Sequence, residues 1–180
     1  MMQGRMIVIS GSPGTGKTTI AQIMAEESAM EKSVHMHTDD FYGYLAKGSI
    51  PPHLPGSGEQ NRIVIEAFLQ AAKRYADGGY DVVVDGVVGP WLLEPWQELA
   101  VQGYEIHYLV LRASEEETMR RAIGRAKLDR ATNEEIVSAM WKQFCALGSY
   151  ERHVVDTDAR SVRETVSRVQ DIVAQKTMLL

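Results

Sequence analysis

The sequence predicts an α/β fold: a three-layer sandwich in which helices cover both faces of one parallel sheet. Three observations predict it. Short apolar runs such as MIVIS (6–10) and VVV (82–84) carry no polar face, as expected of strands buried on both sides. Segments with apolar residues at helical spacing separate them. The two kinds alternate along the chain, which implies right-handed crossovers and parallel pairing.

Taken in order, Met6 to Ser10 is the first strand, and Ile20, Ile23 and Met24 give the segment Lys17 to Ala29 a helical stripe. SVHMHT (33–38) is the second strand, ending at Asp39 and Asp40. Helical periodicity returns from Glu59 to Ala76, with Ile63, Ala67, Phe68 and Ala71 expected on one face. GGYDVVVDG is a turn followed by a third strand that ends at Asp85, and Pro95 suits the first turn of a short helix reaching Val101. Tyr104 to Arg112 is the fourth strand, and Ser114 with Glu117 forms a capping-box signature for the next helix. A helix from Asn133 to Leu147, a fifth strand in HVVDT and a closing helix from Ser161 to Lys176 complete the chain. Gly11, Asp39, Asp85 and Arg112 fall at predicted strand ends, where ligands of parallel sheets collect.

The 180 residues fit a single domain, 1–180, with no internal repeat. Two departures are expected: a turn-rich substrate-cap region at about 41–62 and a lid region at about 120–135. The net charge of -5 argues against nucleic acid or a membrane surface as partner. A single cysteine, Cys145, forbids an intramolecular disulfide or a multi-cysteine zinc site and points to the cytoplasm. No apolar run is long enough for a membrane span. The expected state is monomer or homodimer.

GSPGTGKTT, starting at Gly11, carries the chemistry. Gly11, Gly16, Lys17 and Thr18 fill GxxxxGK(S/T), whose backbone N–H groups wrap the phosphates of a nucleoside triphosphate. Ser12, Pro13, Gly14, Thr15 and Thr19 complete the expected binding segment. Lys17 would neutralise the β and γ phosphates, and Thr18 would ligate Mg2+. ATP is the expected nucleotide, with GTP the alternative. The two asparagines, Asn61 and Asn133, are not followed by lysine, so the NKxD guanine-reading motif of switch GTPases is absent.

A kinase acting on an alcohol needs a group to take its proton, and TDDFY offers Asp39. Asp40 is left three roles: binding the acceptor, capping a helix, or reaching a Mg2+-bound water. Asp85, closing VVVD, fits the aspartate that holds Mg2+ directly or through water. Arg121 and Arg125 share a helix face and would meet charge developing in phosphoryl transfer, with Gly124 as a hinge; a solvated face paired with Glu116 or Glu117 is the alternative.

GSPGTGKTT, HTDDFYGYL, VVVDGVV, the helix bearing Arg121 and Arg125, and VVDT occur in the order found in small P-loop kinases. The sequence most resembles the chloramphenicol-phosphotransferase-like group, within the AAA-type and zeta-toxin-like kinases. The resemblance implies a P-loop NTPase sheet of order 2-3-1-4-5. It also implies adenine near the P-loop helix, the lid arginines and the loop around Thr157. DDFY is similar to the second-strand ending of uridine and nicotinamide riboside kinases, which implies the base role for Asp39. Zeta toxins carry an arginine three residues after their acidic base; here Tyr42 stands there.

Nucleotide monophosphate kinases line the acceptor region with arginines, but between Asp39 and Arg62 the cationic side chains are Lys47 and Arg62, with His53 partly available. A neutral hydroxyl compound is therefore the expected acceptor. Tyr42, His53 and Trp91, with Asp40 and Arg62, are its expected contacts. His35, His37 and His107 lie in strands and are expected to be buried and hydrogen-bonded. An antibiotic-like small molecule is the acceptor the resemblance implies; a nucleoside or cytidylate-type kinase is the alternative.

Overall fold

The structure, a computed structural model, describes residues 4–123 and 130–180. Its strands are β1 (Met6–Ser10), β2 (Ser33–His37), β3 (Asp81–Asp85), β4 (Ile106–Arg112) and β5 (Val154–Asp156). They form one all-parallel sheet of order β2-β3-β1-β4-β5, as the resemblance to small P-loop kinases implies. The helices are α1 (Lys17–Glu26), α2 (Thr38–Gly43), α3 (Gly58–Asp77), α4 (Glu94–Val101), α5 (Glu115–Ile123), α6 (Arg130–Gln143) and α7 (Val162–Gln175). Among the described residues no helix is long and apolar enough to cross a membrane.

Alternation along the strands divides the core in two. Ile7, Ile9, Val83, Leu109 and Leu111 pack against Ile20 and Met24 of α1 and Val166, Val169 and Ile172 of α7. Met6, Val8, Val82, Val84 and Val110 face Phe68 and Leu69 of α3 and Trp96 and Leu99 of α4. A reciprocal capping box starts α7: Ser161 Oγ accepts from the Glu164 N–H, and the Glu164 carboxylate accepts from the Ser161 N–H.

Several expectations change. The buried stripe of α3 is Val64, Ile65, Phe68, Leu69, Ala72 and Ala76, whereas Ile63 and Ala67 are exposed. Adjacent apolar residues left the phase open, and packing against the sheet chose the other one. Asp39 and Asp40 lie in the first turn of α2, because the chain turns helical at Thr38 directly after β2. At α5 the box is half formed: Ser114 Oγ accepts from the Glu117 N–H at 3.4 Å, while the Ser114 N–H donates to Asp158. The Glu117 carboxylate is drawn away by Arg120 and Arg121.

Candidate active site

The phosphate-binding loop links β1 to α1. Gly14 shows why side chains are excluded here: its φ is 87°, and a Cβ would lie 2.5 Å from the Thr118 carbonyl oxygen. Gly16, also left-handed, caps α1 and leaves the first-turn N–H groups facing the loop. Inside the loop, Lys17 Nζ donates to the Ser12 carbonyl at 2.9 Å, and Thr15 Oγ1 donates to the same oxygen at 2.9 Å. Burial pulls the Lys17 ammonium down to about 8, against the opposing pull of Asp39 and Asp85. Both carboxylates are therefore near enough to act on the charge of the lysine.

Asp85 closes β3 and is buried. Its Oδ2 accepts from Thr18 Oγ1 at 2.7 Å. Its Oδ1 lies 2.7 Å from His35 Nε2 and 3.0 Å from His37 Nδ1. Both histidines are only half-buried, unlike His107, which is fully buried beside Glu105. His107 and His35 are hydrogen-bonded as expected, to Glu105 and Asp85, but only His107 is also buried; His35 and His37 instead converge, partly exposed, on a carboxylate of the phosphate site. The H-x-H spacing ahead of TDD is the signal that could have found them.

Gly86 follows Asp85 because nothing larger fits: a Cβ there would lie 1.8 Å from Thr38 Oγ1. This close approach sets the first turn of α2 on the end of β3 and brings Asp39 opposite the loop. Asp39 is exposed and accepts from Thr38 Oγ1 at 3.4 Å. Burial first, then the charge of Asp39, push the Tyr42 phenol up to about 12, so Tyr42 stays a neutral hydroxyl beside it.

Beyond Asp39 opens a cleft of about 830 Å3 lined by Thr38, Tyr42, Pro52, His53, Asn61, Ile65, Val87, Trp91 and Leu92, by Met140 and Gln143 at the far end of α6, and by Ala146 just after it. Trp91 lies over Gly89 and meets the Phe144 ring edge-on at 5.6 Å. The wall after β3 is pinned from two strands: Ser10 Oγ and Tyr108 Oη both donate to the Val88 carbonyl, at 2.7 and 2.8 Å, and the Val88 N–H donates to Ser10 Oγ. Among the described residues no lysine or arginine lines the cleft.

Tyr42, His53 and Trp91 thus share the cleft with Asp39, whereas Asp40 and Arg62 are not on its walls. Asp40 is exposed on α2. Arg62 pairs with Glu66 at 2.6 Å, one turn along α3, and faces a neighbouring groove between α3 and α4. Arg112, expected in the common cleft, turns to Glu151 at 3.0 Å and to the Phe144 carbonyl. Its strand end is occupied by an ion pair, not by the ligand site. Thr38, Asn61, Met140 and Gln143 went unread because only the fold brings them together.

On the other side of the loop, a groove of about 380 Å3 runs over α1, bounded by Gly14, Thr19, Ile20, Arg120, Arg121, Thr157, Arg160 and Val162. Arg121 Nη2 donates to the Thr157 carbonyl at 3.3 Å, and its Nε to Glu117 at 2.6 Å. Arg120 first and Arg121 second hold the Glu117 carboxyl at about 2. Arg120, at the start of the expected lid region, lines the groove beside Arg121, and Arg160 joins them without having been read from the sequence. Arg125, Gly124 and the middle of the expected lid lie outside the described residues.

The family model described as an AAA domain matches residues 7–142. A cytidylate kinase of Archaeoglobus fulgidus is 31% identical over 90 residues, which is 49% of this chain and 48% of that protein, so the matched segment spans about half the length of the curated relative. Among solved structures, a gluconokinase from Sinorhizobium meliloti 1021 superposes with a TM-score of 0.67 at 18% identity, covering 97% of this chain and 94% of that one. The tunicamycin resistance protein of Deinococcus radiodurans superposes at 0.60 with 20% identity, covering 98% of both. At these identities the two comparisons show a shared fold and nothing beyond it. With three-quarters of its length inside the matched model, the chain belongs to the AAA-domain family.

Proposed function

We propose that the protein is an ATP-dependent phosphotransferase that moves the γ-phosphoryl group to a hydroxyl of a small molecule. One observation carries this reading: an exposed carboxylate, Asp39, stands between the phosphate-binding loop and a largely apolar cleft without cationic walls among the described residues. The triphosphate would lie along the loop N–H groups with Lys17 on its β and γ oxygens. The base would occupy the groove beside Thr157, with Arg121, and Arg125 of the lid, supplying positive charge.

In the reaction, Asp39 accepts the proton of the acceptor hydroxyl as its oxygen bonds to the γ-phosphorus. The bond from that phosphorus to the β–γ bridging oxygen breaks, and the nucleoside diphosphate leaves. Tyr42, held neutral on the same cleft, does not compete for the proton. Thr18 and Asp85 present two oxygen donors side by side, a set that suits a hard ion, and they would hold Mg2+. When bound, Mg2+ supplies neutralisation of charge on the phosphate oxygens.

The acceptor is a neutral, partly apolar alcohol of antibiotic-like size. The aromatic walls from Tyr42, His53 and Trp91 support this class, as does the resemblance to chloramphenicol phosphotransferases. The partial match to a cytidylate kinase favours a second reading, in which the cleft takes a nucleobase and a phosphorylated acceptor. Incubation with ATP and panels of hydroxylated natural products, nucleosides and monophosphates, read by mass gain of one phosphate, separates the two. Products among the hydroxylated natural products support the first reading, and turnover concentrated on nucleosides or monophosphates overturns it. ATP hydrolysis without any phosphorylated product would overturn both.

A further inference from the structure

We propose that His35, His37 and Asp85 form a binding site for a borderline divalent metal ion of the Zn2+ class, separate in donor chemistry from the Thr18–Asp85 oxygen pair. Side chains two apart on a strand share a face, so His35 and His37 project together from β2. The parallel register sets His37 directly across from Asp85, and β2 is an edge strand. Both imidazoles therefore reach the same carboxylate oxygen close to the open edge of the sheet. Their side chains are 19% and 34% exposed, against 2% for Asp85, which leaves an ion a route in.

The spacing fits coordination with little movement. His35 Nε2 and His37 Nδ1 lie 2.7 and 3.0 Å from Asp85 Oδ1, and the three ligand atoms all fall within 4.8 Å of one another. A tetrahedral Zn2+ with bonds of about 2.0–2.2 Å holds its ligand atoms roughly 3.3 Å apart. Small side-chain rotations bring the three to that spacing around a common centre. The ion takes the place of the ring protons that otherwise point at Oδ1, and the fourth position stays open.

Donor type separates this site from the neighbouring one. Two imidazole nitrogens and one carboxylate oxygen suit Zn2+, Co2+ or Ni2+, whereas Mg2+ prefers oxygen throughout. Asp85 divides its oxygens accordingly, with Oδ2 toward the Thr18 hydroxyl and Oδ1 toward the imidazoles. The site stands on this geometry alone and does not depend on the phosphotransferase reading.

The test uses the full chain, stripped of metal and free of nucleotide, titrated with Co2+ in the presence of excess Mg2+ and followed by visible absorption. The expected result is one equivalent bound with the intense bands of a four- or five-coordinate site. The bands persist in Thr18→Val and vanish in the double variant His35→Ala/His37→Ala. Should the double variant not fold, His37→Gln, at the more exposed ligand, makes the same comparison. Zn2+ should raise the melting temperature of the unaltered chain and leave that of His37→Gln unmoved. Absence of bands, bands that survive loss of the histidines, or bands lost in Thr18→Val would overturn the assignment.

Discussion

Arg120, Arg121 and Arg160 line the groove over α1, while among the described residues the cleft beyond Asp39 has aromatic and amide walls and no guanidinium or ammonium. Both border the phosphate-binding loop, where the charge of Lys17 acts on Asp39, which lines the cleft, and on Asp85, which closes β3. The groove is built for a polyanion, with loop N–H groups and arginines adding to a helix N-terminus. Under the proposed function the cleft would shield a neutral body and leave the Asp39 carboxylate facing the phosphates. A phosphorylated acceptor would meet Asp39 with nothing among the described residues to offset it.

The sharpest way to break this comparison is Asp39→Asn. It should lower turnover by about 10²–10⁴-fold while nucleotide affinity holds, checked by kinetics alongside nucleotide titration. Gly86→Ala attacks the same geometry from behind. Its Cβ would strike Thr38 Oγ1, displacing the first turn of α2, so turnover should fall by about 10²-fold and stability by about 1–3 kcal/mol in denaturant melts.

A pH series sharpens the groove side. The Lys17 ammonium is charged below about 8 and neutral above it, and only the charged form attracts phosphate. Nucleotide affinity of the free protein should therefore weaken above pH 8, approaching tenfold per unit, as read by calorimetry. The smallest effect belongs to Arg62→Ala. Its partner Glu66 is also exposed and neither lies on the cleft, so acceptor KM should stay within about twofold and stability within about 0.5 kcal/mol. A large rise in acceptor KM there would move the binding region toward the groove between α3 and α4.

What could be read beforehand follows from how locally each feature is determined. The strands and the phosphate loop were legible, because buried runs and a fixed glycine spacing are properties of neighbouring residues, whereas the sheet order was available only as what the resemblance to small P-loop kinases implies. The face of α3 was not: Ile63, Val64 and Ile65 are consecutive, and only packing against Val82 and Val84 chose among them. Tyr42, His53 and Trp91 were legible as aromatics in turn-rich surroundings, yet Met140 and Gln143 complete the same cleft from about a hundred residues away. Arg62 misled because a charge near the cleft in sequence turns along its own helix to Glu66. The histidines of β2 carried a readable spacing, but their meeting at Asp85 depends on the register between β2 and β3.

The knot at Val88 has a consequence for how such a chain can diversify. Ser10, which grips Val88, immediately precedes Gly11, so one wall of the cleft and the start of the phosphate loop are anchored through the same residue. Substitutions that reshape that wall would disturb the grip on the triphosphate as well. The exposed turns from Pro51 to Gly56 carry no such tie to the loop. New acceptors are therefore most cheaply acquired by rewriting that rim, leaving the shared anchor untouched.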